Sequence, residues 1–116
     1  MVESKVADMS TPARVVVVFV SRRAAGQEDE YGPMADRMVE LAREQPGFVD
    51  LVSVRDPATR QGITVAWFED EESVRAWKQH PEHVLAQQRG VADFYEDYDV
   101  TVGQAIRQYH FDRHEQ

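Results

Sequence analysis

GITVAWFEDEESVRAWKQHPEHVLAQQ, residues Gly62 to Gln88, passes from a strand through an acidic turn into a helix. Ile63 to Phe68 are strand formers, with Ile63, Val65 and Trp67 alternating against Thr64, Ala66 and Phe68. Asp70 is suited to cap a helix, and Glu71 and Glu72 fall in its first turn, where the helix dipole favours acids. Val74 and Trp77 share one face of that helix. The chain breaks at His80-Pro81 and restarts through His83 and Val84. Both tryptophans and two of the four histidines lie in this stretch, an arrangement that reads as the wall of a pocket.

Upstream, Val15 to Val20 is β-branched or aromatic throughout and predicts a strand apolar on both faces, ending at Arg22 and Arg23. AAGQEDE reads as a loop. Tyr31, Met34, Ala35, Met38, Leu41 and Ala42 recur at helical spacing and predict a helix to Glu44. Pro33 belongs in a first turn, which sets the start near Gly32. Gln45-Pro46-Gly47 stops it, and Phe48 to Arg55 predicts a strand that forms a hairpin with the strand from Gly62. The helix restarted at Pro81 is expected to run to about Tyr95, with Val84, Leu85, Gln88 and Val91 inward and Gly90 weakening its middle. The last strand is expected over Tyr98 to Tyr109, with a bulge at Gly103.

The order β-α-β-β-α-β predicts an α+β, ferredoxin-like fold: a four-stranded antiparallel sheet with its helices on one face. The domain is expected over residues 14–110, between a loose leader at 1–13 and a polar tail at 111–116. Because the first strand is apolar on both sides, something must cover the helix-free face. A second copy of the chain, in a homodimer, is the simplest candidate.

A net charge of −8 argues against nucleic acid and anionic membranes as partners, since phosphate binding needs clustered Lys and Arg. No apolar run approaches the roughly 20 residues needed to span a bilayer. With no cysteine there is no disulfide, thiolate metal site or thiol nucleophile, and a reducing cytoplasm is the expected setting.

Three local marks, in this order within a βαββαβ chain, resemble the antibiotic biosynthesis monooxygenase family. They are Gln45-Pro46-Gly47-Phe48, Phe68-Glu69-Asp70-Glu71-Glu72, and Trp77 followed by His80, Pro81 and His83. The resemblance covers about Val15 to Tyr109. It implies a dimeric α/β barrel, with two sheets packed face to face and a pocket between each sheet and its own helices. Characterised members of that family insert oxygen into aromatic polyketide or quinol substrates without metal or flavin, and others degrade haem. Phe68 stands where the family has a strand-end tryptophan. Gln87 stands where the haem-degrading branch has an iron-ligating histidine, and Phe19-Val20-Ser21 offers no counterpart to its asparagine. A neutral amide is a poor iron ligand, so haem degradation is not expected.

On this resemblance Phe68 and Trp77 wall a substrate pocket, and Trp67 belongs to the sheet interface. His83 is the candidate catalytic base, since an imidazole suits abstraction of a phenolic proton; against it stands an ordinary surface histidine near a helix end. Tyr31 and Tyr98 could donate hydrogen bonds to a quinone oxygen, and Arg22 could face an anionic substrate. Gln87 joins them as a substrate-binding candidate. His80 is read as part of the helix break, and a His80–His83 metal pair lacks a nearby third ligand.

Two function classes follow. One is a cofactor-independent monooxygenase that takes dioxygen and an electron-rich phenol, hydroquinone or anthrone. The other is a non-catalytic protein holding a hydrophobic ligand, or haem, in the same pocket.

Overall fold

The computed structural model describes residues 6–8 and 14–114. Four strands form the main sheet: β2 (Val15–Arg23), β3 (Phe48–Arg55), β4 (Gln61–Phe68) and β5 (Tyr95–Gln104). Their order is β3-β4-β2-β5, antiparallel throughout. Helices α1 (Glu28–Arg43), α2 (Glu71–Gln79) and α3 (Pro81–Arg89) complete a ferredoxin-like α+β fold. A short β1 (Val6–Asp8), within the segment expected to be a loose leader, pairs with β6 (Tyr109–Phe111) in a separate two-stranded ribbon.

Strand register assigns each side chain to a face. Val15 opposes Phe68, so Val15, Val17, Phe19, Ser21 and Arg23 share a face with Phe68, Ala66 and Thr64. That face carries the core. Phe68 is 1% exposed and packs with Val15 and Val74, with Val17, Phe48, Ala66 and Trp77 around them. The helix-free face presents Val16, Val18 and Val20 beside Val65 and Trp67, as the two-sided apolar first strand requires.

Element boundaries depart from the sequence reading in four places. Helix α1 starts at Glu28, a turn earlier than Pro33 suggests, leaving Pro33 inside the helix. The amides of Glu30 and Tyr31 donate to the Gln27 carbonyl, and three acids in the first turn meet the dipole. The Tyr31–Ala42 stripe does face inward, ending in buried Leu41 and Ala42.

The second difference is the inner stripe of α3. Val84, Leu85 and Val91 are exposed, whereas His83, Ala86, Arg89 and Gly90 are at least partly covered and Phe94 is buried. The inward residues follow helical steps from His83, so apolarity alone picked the wrong side. Third, the α-helix ends at Arg89 and gives way to a π-helical turn, Gly90–Phe94, at the glycine noted as its weak point. Fourth, the last strand begins at Tyr95 and stops at Gln104. Gly103 pairs regularly with Val16, and the irregularity lies between Arg22 and Arg23.

Candidate functional site

Three groups of side chains lie on the helix-covered side. The first is the α2–α3 corner. Asp70 caps α2 by accepting from the Ser73 amide at 2.8 Å. His80 closes α2 and, through Nδ1, accepts from the Glu82 amide to open α3. Pro81 follows at the position where a missing N–H does no harm. This tight corner places His83 on Trp77: the rings stack at 4.2 Å between centroids with planes 12° apart. Trp77 in turn packs against the Phe68 core. Arg37 of α1 grips Glu82 with two 3.1 Å bonds and fixes α3 to α1.

The His83 tautomer follows from its partner. Nδ1 lies 2.9 Å from the Trp77 carbonyl oxygen, which can only accept, so Nδ1 carries the proton. In the neutral ring Nε2 then holds the lone pair. Burial pushes the His83 pKa below its usual 6.5, outweighing the opposing pull of the carbonyl. The ring is therefore a neutral base at pH 7.

The second group is an open hollow of about 410 Å³ between α3, the π-helical turn and β5, lined by Gln87, Gln88, Val91, Ala92 and Tyr98. Gln87 sits one turn beyond His83 on the same helix, and its amide nitrogen donates to the Lys78 carbonyl at 3.2 Å. A second hollow, of about 380 Å³, lies at the other end of β5 beside Val15, Asp70 and Val102 and holds none of the expected site residues.

The third group is aromatic and cationic. Tyr98 touches Phe19 (5.3 Å between centroids) and Tyr95 (5.9 Å), and Tyr95 meets Tyr31 edge-on (5.9 Å). The Tyr95 hydroxyl donates to that of Tyr31 at 3.3 Å. Burial, then the Tyr31 bond, raises the Tyr95 phenol well above its ordinary range, so it stays protonated. Arg23, 5% exposed, lies 3.9 Å over the Tyr31 ring and donates to the carbonyls of Ala24, Gly26 and Phe94. Arg55 donates to Ser21 Oγ at 2.8 Å and Tyr31 Oη at 3.2 Å.

The expected site residues thus fall into sets. Trp77 and His83 are stacked, Gln87 and Tyr98 share the hollow, and Tyr31 touches Tyr95, which in turn touches Tyr98. Phe68 lies beneath Trp77 in the closed core. Arg22 is exposed on the helix-free face, opposite Gln61, and the structure separates it from the others. The strand cations on the site side are Arg23 and Arg55, and Arg89 of α3 lies 4.8 Å over the Phe94 ring. Phe19, Ser21, Arg23, Arg55 and Tyr95 were not singled out from sequence. Alternation along β2 puts Phe19 and Ser21 on one face, but which face meets the helices is set by the pairing of β2 with β4, and the pairing of β3 with β4 that brings in Arg55 is likewise a tertiary fact. Among the described residues, no three His, Cys, Asp or Glu side chains converge as a metal-ligand set.

Residues 14–89 match the family described as antibiotic biosynthesis monooxygenase. The chain is 38% identical over 97 residues to the uncharacterized protein YqjZ of Bacillus subtilis (strain 168), covering 84% of this chain and 83% of that one. Among solved structures it is similar to SnoaB, a cofactor-independent oxygenase from Streptomyces nogalater. That match has a TM-score of 0.68 and 18% identity, and covers 80% of this chain and 93% of that chain. It is also similar to Rv0793 from Mycobacterium tuberculosis, with a TM-score of 0.71 and 11% identity over 80% and 95% of the two chains.

Proposed function

The chain belongs to the antibiotic biosynthesis monooxygenase family, and from that premise we propose that it is a cofactor-independent monooxygenase of an electron-rich aromatic such as a phenol, hydroquinone or anthrone. The observation that carries this reading is His83: a neutral imidazole whose Nδ1 proton is held by the Trp77 carbonyl, one turn from the hollow that Gln87 and Tyr98 line. Burial keeps the ring in its proton-accepting form near neutral pH, at a cost in base strength that the acidity of the substrate offsets.

In this mechanism the substrate lies against the Tyr98–Phe19–Tyr95 rings. His83 Nε2 takes the acidic proton, and the resulting carbanion or phenolate supplies electrons to dioxygen. For an anthrone the carbon loses two hydrogens and gains one oxygen as a carbonyl; the second oxygen atom leaves with those hydrogens as water. The substrate is the reductant, so the step balances with dioxygen alone. In this reading Tyr31 and Tyr98 serve as hydrogen-bond donors to a carbonyl or oxyanion. SnoaB, of like fold, is a cofactor-independent oxygenase, which supports the reaction class.

The test is oxygen uptake by purified, metal-free protein with a panel of hydroquinones and anthrones. Quinone formation above the uncatalysed rate is expected. Binding without turnover would favour a ligand-holding protein instead.

A further inference from the structure

The last carbonyls of a helix lack the partners that those of its interior have. At the end of α2 two consecutive ones are met by side chains of α3. The Trp77 carbonyl accepts from His83 Nδ1 at 2.9 Å, and the Lys78 carbonyl accepts from Gln87 Nε2 at 3.2 Å. A carbonyl can only accept, so each bond fixes which end of the α3 side chain meets the backbone. For His83 the other end is Nε2, and for Gln87 it is Oε1. Both are acceptors, and among the described residues no group donates to either. His83 and Gln87 are four residues apart on α3, which makes them neighbours on one helix face, about 5–6 Å apart at Cβ. The corner therefore holds two acceptors side by side, each oriented by a backbone bond.

Gln87 also has room in front of it. It lines the hollow of about 410 Å³ together with Gln88, Val91, Ala92 and Tyr98. An apolar cavity of about 150 Å³ already takes benzene, so a single or fused aromatic ring fits here. The Tyr98 ring, 5.3 Å from Phe19 between centroids, gives such a ring a face to lie on. No carboxylate, ammonium or guanidinium belongs to the lining. Arg89, two residues beyond Gln87, is tied to Asp93 at 2.8 Å and to Glu30 at 3.4 Å. A lining of carboxamides, a phenol and aliphatic groups suits an uncharged ligand that brings hydroxyl donors, because an anion would find no counter-charge there.

We infer that Gln87 is a specificity-determining residue, whose Oε1 accepts a hydrogen bond from a hydroxyl that the substrate keeps, beside the hydroxyl whose proton passes to His83. This deepens the proposed function and rests on it for the role of His83. It narrows the substrate class to neutral aromatics carrying two O–H donors about as far apart as neighbouring turns of a helix, as in a hydroquinone. Monohydric phenols, and anthrones without a hydroxyl, leave the Gln87 oxygen unpaired.

The probes are hydroquinone, 4-methoxyphenol and 1,4-dimethoxybenzene, which share a ring and lose one O–H donor at each step. Titrated anaerobically into the full-length protein and followed by NMR, they report binding without turnover. Hydroquinone is expected to bind about fivefold more tightly than 4-methoxyphenol, and 1,4-dimethoxybenzene more weakly again. Gln87→Met, of similar length but with no amide, should erase the first step. Gln87→Glu keeps an acceptor but cannot donate to the Lys78 carbonyl, and should retain that step. A residue that only closes the α2–α3 corner would behave differently, since both variants break the Lys78 bond and would then act alike. Absence of binding, equal affinity of the parent for hydroquinone and 4-methoxyphenol, a preference that survives Gln87→Met, or one lost equally in Gln87→Glu would each overturn the inference. If Gln87→Met fails to fold, the parent's ratio and Gln87→Glu decide it. A Gln87-dependent preference without oxygen uptake on any substrate would sink the oxygenase reading and keep this one. Oxygen uptake as fast with monohydric phenols as with hydroquinones, and no such preference, would do the reverse.

Discussion

His83 carries the most chemistry for its size. Its Nδ1 bond to the Trp77 carbonyl fixes the tautomer, and burial keeps the ring neutral. If it is the general base, His83→Ala should slow turnover by about 10²–10⁴-fold with little change in substrate affinity. Steady-state oxygen uptake measures this, and a variant as fast as the parent removes the base. The same residue should make stability depend on pH. A histidine whose folded pKa is lowered binds fewer protons in the folded state. Its contribution is then full above about pH 6.5, the ordinary value, and is lost as pH falls toward the folded pKa. Urea midpoints should fall with acidification across that window. His83→Gln, which keeps an N–H donor, should flatten the dependence, and an unchanged slope would assign it to another group.

At the scale of elements, the connections decide where side chains arrive. Gly47 joins α1 to β3 with φ of +80°, a left-handed conformation, and a Cβ there would also overlap the Ser73 side chain at the start of α2. Its carbonyl accepts from the Glu69 amide, so one residue ties three elements together. Gly47→Ala combines backbone strain with overpacking and should destabilise by about 2–4 kcal/mol. Chemical denaturation checks this, and a change below measurement error would mean the loop relaxes freely. Pro33 shows the opposite lesson. A proline deep in a helix usually marks a boundary, yet the Gln27 carbonyl and three leading acids carry α1 through it. The corner at His80-Pro81 behaved as the sequence implied, because both the cap and the missing N–H are local properties.

For the whole molecule, the open question is the helix-free face of the sheet. Val52 and Val54 are 54% and 64% exposed there, Ile63 is 42% exposed, and Val16, Val18, Val20, Val65 and Trp67 form its centre. A continuous apolar face of this kind is rarely left to water. We propose a second copy of the chain as its cover, sheet against sheet, since no helix of the described residues packs on it. Light scattering at micromolar concentration should then give a dimer, and Trp67→Glu should shift it to monomer while leaving the secondary structure intact. A monomeric parent protein, or a dimer indifferent to Trp67→Glu, would refute that cover. No helix among the described residues is long and apolar enough to cross a membrane.

Sequence by itself determined the βαββαβ order, the two-sided apolar strand at Val15–Val20, the Tyr31–Ala42 stripe, the Asp70 cap and the break at His80-Pro81. Each follows from periodicity of two or near four residues, or from a cap or proline acting on its immediate neighbours. It also marked His83 and Trp77, because their spacing across one tight corner is local. Only the tertiary structure decided that His83 faces inward while Val84 and Leu85 do not, since that depends on how α3 folds back on α2, where His83 stacks on Trp77. Only strand pairing brought Arg55 across from β3 to Ser21, and placed Arg23 rather than Arg22 beneath Tyr31. Helical and strand periods are written along the chain, but the register between strands distant in sequence is set by the packing that folding completes.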